Sequence, residues 1–453
     1  MNYDPRVAAR DAAGTHEFDR EAPPVDNGTG IPCPQRFSDP AWAAAEWEKI
    51  FKKTWLLAGP TSDLREAGDF LVYGIAHESF IVVRGKDGRL HAHYNVCPHR
   101  GSRIVVSDVG SLDRFTCPFH GWAFEHDGRN SLLPDRETFR PEVLRHDCNL
   151  ASVRCEEAAG LAFICLNPAA PSLQDTLGPM LGFLDTYELG KMNVVQHRRA
   201  DWSANWKVGI DAFYEFYHQE AVHPQSLTMM DDRTPIDLYA GGMSRQFVPF
   251  GKPGSRYADQ SGINPALAAL LRDAGIEPPY FPNDAQSARA AIAGGKRQRA
   301  ARMGIDYDHF SDAQLTDAVL LGLFPNVQIV CHPEAAFIHR FMPNLSDPNQ
   351  TLYDTMILYR HVDAPGYKAP AWMGLREDAD LTGATRPEVV HTGLGERPGM
   401  GELLEQDWEQ TARVQQGTRS EAFRGALLSE QEARLRHFHR EIDRRLGVAD
   451  NAG

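Results

Sequence analysis

The sequence predicts an α+β protein built from two unlike parts, and three observations carry that prediction. Runs rich in β-forming residues crowd positions 56–168, helical patterns return after Pro171, and the helical stretches enclose further β-like runs at Val327–Val330, Ala336–Phe341 and Thr351–Tyr359. A chain of 453 residues suits two or three domains, at roughly 150 residues each. Apolar residues at 42% and charged residues at 24% are ordinary for a globular protein and exclude wholesale disorder. No stretch approaches the roughly 20 apolar residues of a membrane helix. The start, MNYDPRVAARDAAG, has no apolar core and does not read as a secretory signal. A net charge of −14 disfavours non-specific binding to nucleic acid or anionic membrane. Seven cysteines, an odd number, argue for reduced thiols in the cytoplasm. With 18 histidines, the chain has ample material for metal sites.

In chain order, residues 1 to about 40 are rich in Pro, Gly and charge and predict an extended arm outside the core. A helix is expected over Pro40–Trp55, with Asp39 as cap and Pro40 in the first turn. From Asp69 the period shortens, and Lys86-Asp87-Gly88-Arg89 between β-like runs predicts a hairpin. His126-Asp127-Gly128 marks a second turn, and Leu161–Leu166 a last strand before Asn167-Pro168. Residues 202–222 predict one continuous helix, residues 402–416 another ending at Gly417, and residues 429–446 the last. The stretch 226–310 includes a Gly/Pro-rich part and an Ala/Arg segment and is expected to form a lid. Its Lys296-Arg297-Gln298-Arg299 cluster is expected to be a solvated helix face rather than an attractor for acidic substrates.

The strongest chemical signal lies in the β-rich part. Cys97-Pro98-His99 is followed, after seventeen intervening residues, by Cys117-Pro118-Phe119-His120. Thiolates suit zinc or iron–sulfur centres, and imidazole suits zinc, copper, iron and nickel, so the quartet could hold one zinc or a two-iron cluster. Zinc fingers usually group their cysteines together and their histidines together. Here each loop supplies one of each, which favours two loops that both reach both irons of a [2Fe–2S] cluster. Cys33, Cys148, Cys155, Cys165 and Cys331 lack paired spacing and are expected to be buried free thiols.

A second cluster follows at Glu215, His218 and His223. Glu215 and His218, three apart, would share a helix face. His223 lies about 140° further round a regular helix, so the two histidines converge only if the helix ends or distorts between them. Pro224 makes an end near Val222 plausible. Two surface histidines remain the plain alternative. On helix 402–416, Asp407 shares a stripe with Leu404, Trp408, Thr411 and Gln415, and an aspartate on an inward face rarely lacks a partner or a metal. Glu405 is the substitute acid if the register differs.

The run Cys97-Pro98-His99-Arg100-Gly101 with Cys117-Pro118-Phe119-His120-Gly121-Trp122 resembles the cluster motif of Rieske non-haem iron ring-hydroxylating oxygenases, large (α) subunit. Asn205-Trp206-Lys207 through His223, and Glu405-Gln406-Asp407 through Gln415-Gln416-Gly417, are similar to two further motifs of that family. The resemblance implies a Rieske all-β iron–sulfur domain over 56–168, inserted in a helix-grip catalytic domain made of 1–55 and 169–453. It implies that Cys97, His99, Cys117 and His120 bind the Rieske [2Fe–2S] cluster. His218, His223 and Asp407 would then ligate a mononuclear Fe(II), as a 2-His-1-carboxylate triad.

Glu215, where many members carry Asp, would bridge His120 of one subunit to His218 of the next in a homotrimer, with or without a small β subunit. The Asn common six residues before the first histidine is Ala212 here. A substrate pocket is expected around Ile210, Phe213, Tyr214 and parts of the strands near Phe324–Ile329, with Trp206 and Tyr217 as packing residues. The implied activity is that of a terminal oxygenase. It would take O₂ and electrons from NAD(P)H through a reductase, with or without a ferredoxin, and dihydroxylate or monooxygenate an aromatic or related small molecule. Variants of that activity are O- or N-demethylation and oxidation of a quaternary amine. A non-catalytic iron–sulfur electron carrier is the alternative from a different class.

Overall fold

The computed structural model describes residues 16–30, 32–277, 284–361, 369, 373–375 and 379–448; the chain's first fifteen residues, part of the expected arm, lie outside these. Strands β1 (Trp55–Pro60), β2 (Asp69–Ile75), β3 (Glu78–Arg84), β4 (Leu90–Tyr94), β5 (Val109–Ser111), β6 (Phe115–Thr116), β7 (Ala123–Phe124), β8 (Asn130–Leu132), β9 (Ser152–Ala158) and β10 (Leu161–Cys165) form the β-rich part. Seven of them pair as β1-β10-β9-β4-β3-β2-β5, and β6-β7-β8 form a small separate sheet. The expected Lys86–Arg89 hairpin joins β3 to β4, with Arg84 opposite Leu90 and Gly88 in the left-handed region at φ +76°.

The remaining strands are β11 (Met192–Trp202), β12 (Ile236–Tyr239), β13 (Met243–Val248), β14 (Ala318–Leu323), β15 (Val327–Cys331), β16 (Ala335–Pro343), β17 (Thr351–Arg360) and β18 (Val390–Thr392). They form one eight-stranded sheet in the order β12-β13-β14-β15-β16-β17-β11-β18, antiparallel except for β11 with β18. The helices are α1 (Pro40–Glu46), α2 (Leu173–Leu177), α3 (Pro179–Asp185), α4 (Trp206–Phe213), α5 (Gln219–Val222), α6 (Pro265–Asp273), α7 (Ala285–Arg302), α8 (Asp312–Thr316), α9 (Glu402–Thr418) and α10 (Ala433–Leu446).

Four expectations are corrected. The arm is not outside the core: Phe18 and Phe37 are buried in the main hydrophobic cluster, and Arg36 donates to Asp443 at 2.8 Å. The helix over 202–222 does not run continuously. Trp202 ends β11, α4 stops at Phe213, and α5 is a single turn. The basic cluster of α7 is neither a solvated face nor a free cationic patch, because Lys296 pairs with Glu334 at 3.1 Å and Arg297 with Asp312 at 2.6 Å. Cys33, Cys148 and Cys155 are only half-buried, while Cys165 and Cys331 are buried; all five are free thiols. The long strand β11 went unexpected because its sequence, MNVVQHRRADW, alternates weakly and carries four charges or imidazoles.

The two sheets are locked together by buried charge. The Asp354 carboxylate of β17 receives Arg340 at 2.7 Å, Arg199 at 2.7 Å and His197 at 3.1 Å. Arg340 also donates to the carbonyls of Leu57 and Ala58 on β1, and Arg199 to Asp108 at 2.6 Å. Helix α1 joins the other side: buried Glu46 pairs with buried Lys207 at 2.7 Å and accepts from Trp206 Nε1 at 3.0 Å. Burial alone would raise the Asp354 carboxyl, but the facing Arg340 and Arg199 guanidiniums and the His197 imidazole hold it well below the usual carboxylate range. Such a group stabilises the fold above its unfolded pKa of about 3.9, and that stability is lost as pH falls through the folded value. Asp354→Asn is therefore expected to cost about 3–5 kcal/mol by leaving buried cations unpaired. Urea unfolding at pH 7 checks this, and the difference from the unchanged protein should shrink at acid pH.

Candidate functional site

Two loops of the β-rich part share one backbone design. The Cys97 N–H donates to the Ser102 carbonyl and the Gly101 N–H returns to the Cys97 carbonyl, at 2.8 and 3.0 Å. The Cys117 N–H donates to Trp122 and the Gly121 N–H to Cys117, at the same two distances. Both glycines sit in the left-handed region, at φ +76° and +73°, where a side chain would be strained. The C-P-x-x-G pattern thus writes the same turn twice, and both cysteines are buried, each thiol shifting the other's protonation. The rings of His99 and His120 stand 4.5 Å apart, and Trp122 stacks on His99 at 4.9 Å.

His99 Nδ1 is buried without a hydrogen-bond partner, as a donor atom reserved for a metal would be. Burial pushes the Cys97 thiol up to about 11. At Cys117 the N–H groups of Phe119 and His120 outweigh burial and hold the thiol down. Two facing thiols, one partnerless buried nitrogen and a second imidazole alongside fit a [2Fe–2S] cluster with two sulfur and two nitrogen ligands. His120 and Phe119 are exposed at the tip, where Arg100 covers the Phe119 ring at 5.1 Å.

The second centre forms where the chain breaks between α4 and α5. Asn205 caps α4, its side chain accepting from the Lys207 N–H at 3.0 Å, while its own N–H donates to Gln415 of α9 at 2.8 Å. Trp202 stacks on Trp408 at 4.7 Å and donates to the Trp408 carbonyl at 3.2 Å. These contacts seat α9 against α4. Glu215 then terminates the helical run, because its carboxylate accepts the N–H groups of Tyr217 and His218 in place of backbone carbonyls. His218 precedes the one-turn helix α5 and His223 follows it, so the two imidazoles converge, their rings 5.1 Å apart.

Glu215 and His218, expected on one helix face, do meet, but through this turn. His218 Nδ1 lies 2.5 Å from Glu215 Oε1, and its Nε2 lies 3.5 Å from Asp407 Oδ1. His223 Nε2 lies 2.9 Å from the same Oδ1, and its Nδ1 lies 2.7 Å from Gln406 Oε1. The donor atoms of His218, His223 and Asp407 fall within 4.8 Å of one another. Burial lowers the His218 imidazole, but the Asp407 and Glu215 carboxylates more than compensate and hold it up at about 10; His218 and His223 hold Asp407 down against its burial. Three converging donors, with each outer nitrogen held by an oxygen acceptor, fit a facial 2-His-1-carboxylate metal site.

Other expected site residues fall differently. Glu405 faces Arg397 at 3.7 Å and stays out of the cluster. Tyr217 is not a packing residue, being 51% exposed, whereas Trp206 is one. Ile210 and Tyr214 are sealed in the main core, the Tyr214 hydroxyl donating to the Val327 carbonyl at 3.0 Å, so neither lines an open pocket. Phe213 packs on His339 at 5.1 Å and on Tyr353 at 5.8 Å. Ala212 packs at the edge of the main core. Gln406 and His339 were missed; adjacency to Asp407 signals the first, while nothing local marks the second.

Comparison with known proteins agrees with this construction. Residues 189–448 match the family model described as ring hydroxylating alpha subunit (catalytic domain), and residues 54–151 match the Rieske [2Fe–2S] domain. The chain belongs to the ring-hydroxylating α-subunit family and carries that family's Rieske domain. Its cofactors are accordingly a Rieske cluster and a mononuclear iron. Among relatives, it is 32% identical over 254 residues to the glycine betaine monooxygenase oxygenase subunit of Chromohalobacter salexigens, covering 54% of each chain. It is 33% identical over 199 residues to the biphenyl 2,3-dioxygenase subunit alpha of Rhodococcus jostii, covering 43% of each. The matched part spans about half the length of these relatives. The structure of the quaternary ammonium Rieske monooxygenase CntA in complex with L-carnitine superposes with a TM-score of 0.62 at 18% identity, over 94% of this chain and 99% of that one. That likeness is one of fold.

Asp407→Ala is expected to abolish the mononuclear iron while leaving the Rieske visible absorption unchanged. Gln406→Leu, which frees His223 Nδ1, should weaken iron binding by about 10–100-fold. Metal analysis after dialysis against a graded chelator reads both; unchanged iron in the Asp407 variant would refute the triad.

Proposed function

We propose that this chain is the terminal oxygenase component of an O₂-dependent hydroxylating system. The convergence of His218, His223 and Asp407 carries the proposal, because an electron carrier needs the two-loop cluster but not a second metal centre. Cys97, His99, Cys117 and His120 would hold the Rieske cluster, and His218, His223 and Asp407 the Fe(II). When bound, the cluster supplies single electrons and the iron supplies O₂ activation. Electrons would come from NAD(P)H through a reductase, with or without a ferredoxin.

The chain's own residues prepare both centres. Glu215 and Gln406 take the Nδ1 side of the two imidazoles, leaving each Nε2 directed at Asp407. The Trp202–Trp408 stack and the Asn205–Gln415 hydrogen bond hold α9 so that Asp407 keeps its place. Glu215 is proposed as the bridge between centres of neighbouring subunits in a homotrimer. His120 is exposed at the loop tip, and Tyr217 is exposed beside the buried Glu215, so a partner's loop could approach Glu215 past Tyr217. The exposed apolar Phe119, at 56%, suits the same interface.

Monooxygenation of a quaternary amine is favoured over dihydroxylation of an aromatic hydrocarbon by the glycine betaine relative and by the buried polar side chains beside the iron ligands described below. Hydroxylation of an N-methyl group would release formaldehyde and the demethylated amine.

Glu215→Gln should leave both metal contents intact and slow cluster-to-iron transfer. Stopped-flow reoxidation of the pre-reduced cluster with substrate and O₂ reads this directly; a normal rate would sink the bridging role. Product analysis with a surrogate reductase, comparing glycine betaine, carnitine and biphenyl, tests the reaction class. Formation of a dihydrodiol without demethylation would overturn the amine assignment.

A further inference from the structure

Arg434 of α10 is wholly buried, and no carboxylate lies within 4.0 Å of it among the described residues. Its Nε donates to Ser244 Oγ at 3.0 Å, one terminal nitrogen to Gln246 Oε1, and the other to Gln328 Oε1 at 3.5 Å. The guanidinium also lies 4.3 Å above the Tyr214 ring. Three neutral acceptors, one of them distant, leave a cation with five N–H donors under-partnered in a dry interior. Burial lowers its pKa to about 10, which still leaves it charged at neutral pH.

The row of strand residues in front of Arg434 is polar where a sheet core should be apolar. Across β13–β17, Ser244, Gly322, Gln328, His339 and Thr355 are successive register partners, so all five face the same side of the sheet. Ser244, Gln328, His339 and Thr355 are all buried. Gln328 turns Oε1 to Arg434, which leaves its Nε2 hydrogens without a partner among the described residues. His339 Nδ1 meets the Tyr353 hydroxyl at 2.6 Å and the Thr355 hydroxyl at 3.2 Å. Burial keeps the ring neutral, its pKa lowered to about 3, and in the tautomer in which both hydroxyls donate to Nδ1 the ring proton sits on Nε2. The field of Asp407 reaches His339, and Phe213 packs against its ring, so this end of the row lies beside the iron ligands.

From this juxtaposition we infer that the substrate carries a carboxylate, which docks on the Nε2 donors of Gln328 and His339 with Arg434 behind Gln328 as its counter-charge. Two neutral donors on paired strands match two carboxylate oxygens, and the guanidinium supplies the positive charge that a buried anion requires. Arg434 acts through Gln328 and is a positioning residue. The inference rests on the oxygenase assignment only for the location of the reacting carbon. Aromatic acids and betaines share the chemistry, and the test separates them.

Calorimetric binding to the full-length protein, loaded with both metal centres, kept anaerobic and without an electron donor, provides that test. Benzoate is compared with benzamide, and glycine betaine with choline. At least one acid should bind ten-fold or more tightly than its uncharged-end counterpart; benzoate alone would identify an aromatic acid, and glycine betaine alone a betaine. Arg434→Met, close in volume, should abolish the preference for the acid while the Rieske absorption is retained. Equal binding of acid and counterpart, binding of neither acid, or an undiminished preference in Arg434→Met would overturn the inference. If Arg434→Met does not fold, Gln328→Leu takes its place with the same expected loss. Turnover is measured separately: an intact acid preference without any oxidised product would overturn the oxygenase assignment and leave the carboxylate site standing.

Discussion

The arrangement of this protein depends on one buried carboxylate. Asp354 lies in the middle of β17 with two guanidiniums and an imidazole around it, and one of those guanidiniums reaches across to the carbonyls of β1. Desolvating a carboxylate is costly, and only close opposite charges with good geometry offset it. Each partner is therefore forced into place, and so are the sheets that bear them. Arg199 continues the chain of charge to Asp108, just before β5 of the Rieske domain. Ion pairs thus tie the β-rich part to the catalytic sheet, alongside a hydrophobic cluster that runs through both.

Both metal centres use the same economy of means, in which a break in regular structure presents donor atoms and local hydrogen bonds keep the break in shape. In the cluster loops, left-handed glycines close two matched turns. In the catalytic domain, the Glu215 carboxylate consumes the amides that would extend α4, and the one-turn α5 then has a histidine at each end. The same Glu215 fixes the Nδ1 side of His218. One side chain thus ends a helix and orients an imidazole.

Much of the site was legible in the sequence because its ligands are short-range motifs. Cys97, His99, Cys117 and His120 were recognisable by spacing, and Pro224 forecast the end of α5. The fold's β-rich part was legible through Asp87-Gly88 and Asp127-Gly128. What failed has a common physical reason. Residues 202–222 carry a helical period throughout, yet a side-chain cap from Glu215 and the pairing of β11 override it, and both are tertiary or geometric facts. Tyr214 looked like a pocket residue, but its hydroxyl is spent on the Val327 carbonyl. Gln328 fell within the strand segment expected near the pocket, but its pairing with His339, eleven residues on, was not legible because the two become neighbours only through strand register.

Buried charge also separates structural from functional interior. Lys207 has Glu46 at 2.7 Å, Arg245 has Asp237 at 2.7 Å, and Asp354 has two guanidiniums and an imidazole. Each of these is paired at hydrogen-bond distance, as burial demands. Arg434 is as deeply buried, and its three contacts are all neutral. A sequence under selection for stability alone would fill that place with an apolar residue of similar volume, since replacing poorly paired buried charge is often neutral or favourable. Local rules are broken at functional sites and compensated elsewhere. Arg434 breaks one behind Gln328, the register partner of His339, while Lys207, Arg245 and Asp354 keep partners of opposite charge.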